Sequence, residues 1–299
     1  MRKGISVLIF SSLFMCYPLF TIGDNTGSGL YSTKSQSIIV QNKSEQTKNL
    51  KLISFNIWGG HIRQPLLEFI KLHTDIDIFC FQEVYNNALH KISTDDKDVS
   101  LNIFSEISVL LPKHSAFFTP IVGNGYGIGM FIKKKFNILA KGDINIHDNP
   151  NYIGRGPTHS RKMQWLNFRI DDQDYTIFNV HGLWNGMGKT DTQERISQSQ
   201  RIKDFVSTIN THKILCGDFN LTLDTTSVKI LENGMRNLIR IYNIKSTRTS
   251  MYTKKESFAD YIFTSPKIIV NTFKVLKDEV SDHSPLLLEI NIPKTATIK

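Results

Sequence analysis

With 299 residues, the chain is too long for a minimal domain and within the span that one α/β sandwich of about 250 residues fills. Its 36 Lys and Arg against 27 Asp and Glu give a formal charge of +9, which suits a polyanionic partner, nucleic acid or an anionic membrane, without choosing between them. Three cysteines exclude a disulfide-built scaffold, and no Pro/Gly/Ser-rich linker, repeat or low-complexity tract divides the interior.

At the N-terminus, Arg2-Lys3 precedes an apolar run over 5–20 that Pro18 interrupts, and Thr21 and Gly23 are small enough for a signal peptidase site. Residues 1–23 are therefore expected to be a signal peptide, with a membrane anchor through 4–20 as the alternative, since the run is short for a span. The protein is expected to be exported, periplasmic or secreted. Residues 24–49, rich in Ser, Thr, Asn, Gln and Gly, read as a flexible polar leader before a folded domain at 50–294.

Within that domain, short apolar runs repeatedly end in polar clusters. Leu52-Ile53-Ser54-Phe55 leads to Asn56, and Ile76-Asp77-Ile78-Phe79-Cys80-Phe81 leads to Gln82-Glu83. Gly123-Asn124-Gly125-Tyr126-Gly127-Ile128-Gly129 has the wrong spacing for a dinucleotide fingerprint and reads as a flexible loop entering a core strand at Met130-Phe131-Ile132. Gly154-Arg155-Gly156 and Arg161-Lys162, before a strand from Gln164 to Ile170, form the candidate phosphate-contacting loop. Tyr175-Thr176-Ile177-Phe178-Asn179-Val180 leads to His181, followed by Trp184 and Met187 in a loop that could touch a bilayer. Gly186-Met187-Gly188-Lys189-Thr190 resembles the end of a P-loop, but Leu183 stands where that motif needs glycine, so it reads as a plain loop. Glu194-Arg195 and Gln198-Ser199-Gln200-Arg201-Ile202 read as a helix. Ile214-Leu215-Cys216 then opens into Gly217-Asp218-Phe219-Asn220; on a strand Asp218 and Asn220 project the same way, and the glycine permits a sharp turn beside them. Phe258-Ala259-Asp260 opens the strand Tyr261-Ile262-Phe263, and Ser281-Asp282-His283 precedes the last apolar run.

Taken singly, each cluster has an ordinary structural explanation: an Asx turn, a helix start, a satisfied core histidine, a cap. Taken in order, they resemble the endonuclease/exonuclease/phosphatase superfamily, whose members include deoxyribonuclease I, exonuclease III, sphingomyelinases, deadenylases and inositol-polyphosphate 5-phosphatases. The resemblance runs from about Lys51 to Glu289 through the Asn, Gln-Glu, Gly-Asp-x-Asn, Asp-Tyr and Ser-Asp-His elements. It implies a four-layered α/β sandwich, two mixed β-sheets packed face to face with helices outside, and a divalent metal, usually Mg2+, with Mn2+ or Ca2+ as alternatives. Chemically, phosphoester hydrolysis needs a positive centre against the non-bridging oxygens, a deprotonated water in line and charge relief on the leaving oxygen. Glu83 suits a hard cation, and the resemblance adds Asn56 and Asp282 to the metal site. It gives Asp218 and Asn220 the orientation of water and phosphoryl group, and places His181 and His283 beside the phosphate, with Asp260 orienting His283. The histidine at 181 favours the two-histidine branches over exonuclease III, and an Arg and a Gln on the following helix are expected to support the site.

Three function classes follow. An exported nuclease comes first, gripping nucleic acid through Arg155, Arg161 and Lys162. A sphingomyelinase-like or phosphoinositide-directed enzyme acting on membrane lipid, with Trp184 as an apolar contact, comes second. A non-catalytic protein on the same fold is the third. Nothing in the sequence points to a protein partner, and a monomer is expected.

Overall fold

The computed structural model describes residues 48–92, 99–154, 156 and 158–293. The expected signal segment and nearly all of the polar leader lie outside the described residues, as does Arg155. Four strands begin the first sheet: β1 (Lys48–Asn56), β2 (Ile78–Tyr85), β3 (His114–Val122) and β4 (Tyr126–Lys133). The second sheet follows with β5 (Asn137–His147), β6 (Arg161–Ile170), β7 (Gln173–His181), β8 (His212–Asp218), β9 (Arg236–Asn237) and β10 (Asp260–Thr264). The chain then returns to the first sheet with β11 (Ile269–Val275) and β12 (Leu286–Ile292). Strand orders are β11-β12-β1-β2-β4-β3 and β5-β6-β7-β8-β10-β9, and the pairs β1/β2 and β7/β8 are parallel among antiparallel neighbours. Helices α1 (Arg63–Leu72) and α2 (Ile103–Leu110) cover the first sheet; α3 (Gln193–Thr208), α4 (Thr226–Glu232) and the short α5 (Leu238–Ile241) accompany the second. This is the expected α/β sandwich of two mixed sheets. Among the described residues, no helix is long and apolar enough to cross a membrane.

Strand alternation explains both the core and the site. On β1 and β2, Ile53, Phe55, Phe79 and Phe81 pack outward under α1 and α2, while Leu52, Ile78 and Cys80 face the other sheet. From β7 and β8, Ile177, Ile214 and Cys216 meet them. Two residues further along these inner rows on β2, β7 and β8, and four beyond Leu52 on β1, Gln82, Asn179, Asp218 and Asn56 come to the same end of the sandwich. The last apolar layer is closed by an inter-sheet polar tie: Gln82 Nε2 donates to Asn179 Oδ1 at 2.7 Å, and Asn179 Nδ2 donates to the Phe81 and Gly129 carbonyls. Such fully buried amides are tolerated because they are paired. Cys80 and Cys216 are free, buried thiols; burial, and then the neighbouring Cys216, pushes the Cys80 thiol well above its ordinary value.

Two local expectations need correction. The glycine-rich run is a turn only over 123–125; Tyr126 onward is already β4. Gly127 belongs to that strand because a Cβ there would sit 1.9 Å from the Thr119 carbonyl oxygen of β3. In addition, β2 does not end at Gln82-Glu83 but continues to Tyr85 through a bulge, its pairing with β4 slipping between Phe81 and Val84. Glu83 takes a left-handed backbone there (φ 56°), a costly state for a non-glycine residue, and the bulge re-aims its carboxylate at the end of the sandwich.

Candidate active site

The polar ends of both sheets line one pocket of about 360 Å3, into which Glu83, His181, Asp218, Asn220, Asp282 and His283 all face. Asn56 lies beneath it. Its amide nitrogen donates to Glu83 Oε1 at 2.8 Å and to Asp218 Oδ2 at 3.1 Å, while its amide oxygen accepts from the Trp58 N–H at 2.9 Å. The amide thus tethers two carboxylates beside the expected metal position. Gly217 has φ 135° and a Cβ there would lie 2.0 Å from the Val180 carbonyl oxygen, so only glycine lets β8 deliver Asp218 so close to β7.

Asp218 is the hub. Its Oδ2 lies 3.9 Å from His181 Nε2 and 3.7 Å from His283 Nε2, and its Oδ1 accepts the Asn220 N–H at 2.8 Å. Burial works against its charge, but His283, Lys189, His181 and Arg248 together hold it well below the usual carboxylate range. His283 Nδ1 lies 2.8 Å from both Asp260 oxygens, and Thr247 Oγ1 donates to Asp260 Oδ2 at 3.0 Å. Burial and Arg248 oppose protonation of His283; Asp260, Asp282 and Asp218 outweigh them and raise its pKa. His181 is held well below its usual value by burial and then Arg161, and its Nδ1 is buried without a hydrogen-bond partner.

The acidic groups fit a divalent cation. Ligand atoms of Glu83, His181 and Asp218 lie within 4.8 Å of one another, and Asp282 opens on the same pocket. Burial raises the Glu83 carboxyl to about 7; its bond from Asn56 opposes this, while Asp282 and Asp218 add repulsion. A hard cation relieves such crowding.

Three groups at the site escape the sequence analysis. Lys189, from the loop resembling a P-loop end, is buried, and its Nζ donates to Asn220 Oδ1 while lying 5.0 Å from the Trp184 ring. Burial lowers its pKa to about 8. Arg248 stacks on Tyr252 at 4.0 Å and sits 3.6 Å from Asp282. His159 stands edge-on to His181 at 6.3 Å, with burial and then Arg161 lowering its pKa to about 2. The loop carrying Lys189 is shaped by Arg195 of α3, which donates to the carbonyls of Leu183, Gly188 and Thr190 and to the Asn185 side chain. Gln198 Oε1 accepts the Leu183 N–H at 2.9 Å, so the Arg and Gln expected on this helix both hold that loop.

The candidate substrate-contacting residues divide. Arg161 is 1% exposed and lines the pocket, whereas Lys162, the next residue on β6, faces away and pairs with Asp143 at 2.9 Å. Trp184 forms part of the pocket wall, with Lys189 and Lys254 at 5.0 and 4.9 Å from its ring, rather than standing out as an anchor.

Residues 53–283 match the Endonuclease/Exonuclease/phosphatase family. The chain belongs to this family. Members of the endonuclease/exonuclease/phosphatase family are phosphoric ester hydrolases, and that chemistry is this chain's class. No curated protein matches the sequence. Among solved structures, an endonuclease/exonuclease/phosphatase family protein from Bacteroides thetaiotaomicron aligns with TM-score 0.65 and 22% identity, over 83% of this chain and 100% of the other. The mannosyl-6-phosphatase of the same organism aligns with TM-score 0.62 and 20% identity, over 81% and 99%. TDP2 of D. rerio, complexed with a single-strand DNA product, aligns with TM-score 0.63 and 16% identity, over 82% and 100%.

Proposed function

We propose that the protein is a divalent-metal-dependent phosphoester hydrolase, exported, with nucleic acid as its first substrate class. The observation that carries the chemistry is the convergence of both histidine Nε2 atoms on one Asp218 oxygen, beside the Glu83 carboxylate. Asp218 accepts a hydrogen bond from an attacking water and orients it, and Asn56 holds the carboxylate in place. His283, kept cationic by its carboxylates, places an N–H on the phosphoryl oxygens or the leaving oxygen, while neutral His181 donates one hydrogen bond from the opposite side. Asn220, fixed by Lys189 and by its bond to the Gly182 carbonyl, steadies the phosphoryl group. Glu83, Asp218 and Asp282 would hold the cation, Mg2+ in the first instance, which supplies positive charge against the phosphoryl oxygens.

Nucleic acid is supported by the surplus of positive charge outside the site and by the DNA product bound in TDP2. The membrane-lipid reading comes second, since Trp184 is packed against lysines in the pocket wall, although Met187 of the same loop is exposed. The test is a panel of plasmid DNA, single-stranded DNA, RNA, sphingomyelin and phosphoinositide, each with Mg2+ and with EDTA. Cleavage of nucleic acid is expected in Mg2+, lost in EDTA and weakened by about a hundredfold or more in Glu83→Gln. Full activity in EDTA overturns the metal chemistry, and turnover of lipid without nucleic acid overturns the substrate.

A further inference from the structure

The pocket holds more positive charge than a phosphodiester requires. Four Lys and Arg side chains line it, Arg161, Lys189, Arg248 and Lys254, against the three carboxylates Glu83, Asp218 and Asp282. The pocket is thus net positive even before a divalent cation is added. These cations come from different sides: Arg161 neighbours Tyr126 and Glu83, and Arg248 neighbours Asp282 and His283. A diester phosphate has one negative charge and two non-bridging oxygens; a terminal phosphate has two charges at neutral pH and three such oxygens.

Arg248 carries the argument further. Its side chain is 5% exposed, yet Nε and Nη1 are buried and make no hydrogen bond, although five N–H donors are normally satisfied when a guanidinium is buried. Its position is fixed without using those donors. Tyr252 stacks on the guanidinium, the Arg248 N–H is bonded to Ser246 Oγ at 3.0 Å, and the backbone bridges to His283. Asp282 Oδ2 at 3.6 Å balances the charge from beyond hydrogen-bond range. Lys189 likewise commits one donor to Asn220 and has three to give. Both side chains line the pocket as cations held in place beside Asp282 and Asn220, with donor capacity that the protein leaves unused.

We infer that the site takes a terminal phosphate, a phosphomonoester dianion, and that Arg248 and Lys189 bind the oxygen which in a diester would carry the second ester arm. This rests on the phosphoester-hydrolase reading. The balanced reaction adds the oxygen of water to phosphorus while the single ester P–O bond breaks; the leaving oxygen takes a proton and departs as alcohol, with inorganic phosphate as the other product. Phosphorylated nucleic-acid ends and small phosphorylated metabolites share this group.

The experiment uses a 5′-phosphorylated oligonucleotide, the same oligonucleotide without its phosphate, and a hexose 6-phosphate, in Mg2+, reading phosphate release and chain cleavage separately. Phosphate release is expected to exceed chain cleavage in kcat/KM by about tenfold or more. Arg248→Met is expected to reduce that preference by about ten- to a hundredfold, mainly through KM, with part recovered in Arg248→Lys. Inhibition by inorganic phosphate weakens in parallel, and Lys189→Met repeats the test should Arg248→Met not fold. The oligonucleotide outpacing the sugar phosphate places the group at nucleic-acid ends, and the reverse order places it on a small molecule; either supports the inference. Chain cleavage at equal or greater efficiency, or an unchanged preference in both variants, overturns the terminal-phosphate site and leaves phosphoester hydrolysis standing. No turnover of any of these esters or of a diester in Mg2+, Mn2+ or Ca2+ brings down both.

Discussion

His181, at the end of β7, and His283, in the segment before β12, approach the same oxygen of Asp218, and their surroundings are built in opposite ways. His181 closes β7 with its Nδ1 buried and unpartnered, facing Arg161 and another buried histidine, and its ring is neutral. His283 is equally buried, yet Asp260 grips its Nδ1 and two further carboxylates face its ring, so its pKa is raised and its proton is favoured. The difference shows that burial alone does not set a histidine's charge. A carboxylate behind the ring can reverse the effect, and a pocket can therefore hold a neutral and a cationic imidazole within reach of one atom.

The largest effect expected from breaking this pair is in His283→Ala, about a thousandfold in kcat, with His181→Ala about a hundredfold, measured as Mg2+-dependent turnover on the preferred ester. Near-normal turnover in either would remove that histidine from the site. A smaller change comes from Asp260→Asn, which keeps the ring but removes its carboxylate. Turnover falls by about ten- to a hundredfold, and because the His283 pKa drops, the loss of activity with rising pH begins at lower pH. A limb that stays in place would detach Asp260 from the proton held on His283.

The smallest effect is on stability. Unfolded histidine takes its proton near pH 6.5, but folded His159 does so only near about 2. Between these values the unfolded chain holds the extra proton, so stability falls with acidification by about 1.4 kcal/mol per pH unit from this residue. His283 works the other way: its raised pKa gives stability that is full below its unfolded value and lost as pH rises through the folded one. His159→Gln should flatten the acid slope of the unfolding free energy between about pH 6.5 and 5, followed by urea titration, while His283→Ala should leave that slope in place and remove a loss of stability as pH rises above about 6.5.

The sequence made the strand-end clusters legible because an apolar run that turns polar at its last inward position is a visible pattern; Asn56, His181 and Asp218 all carry it. Other parts had no such signal. Glu83 reaches the pocket through a bulge, and no local pattern distinguishes a bulged Gln82-Glu83 from a strand end. Lys189 carries no such signal, since a loop that lacks the glycine of a nucleotide cradle can still send a single lysine into another pocket. Arg248 sits in a polar stretch without hydrophobic period, and its role depends on a bridge to His283 that lies far away in sequence. Arg161 and Lys162 were grouped as neighbours, although strand alternation is enough to send them to opposite faces.

The pairing of β1 with β12, from Lys48 opposite Ile292 to Ser54 opposite Leu286, has a consequence for biosynthesis. On that side β1 stays an open edge until β12 leaves the ribosome, and Asp282 and His283 arrive just ahead of it. A nascent chain can hold the Asn56–Glu83 contact and the parallel β7/β8 pair early, but cannot assemble a complete site before Asp282 and His283 are made. Hydrolytic competence is thereby tied to the segment from Asp282 through β12, so a product that stops short of it lacks two of the residues that line the pocket.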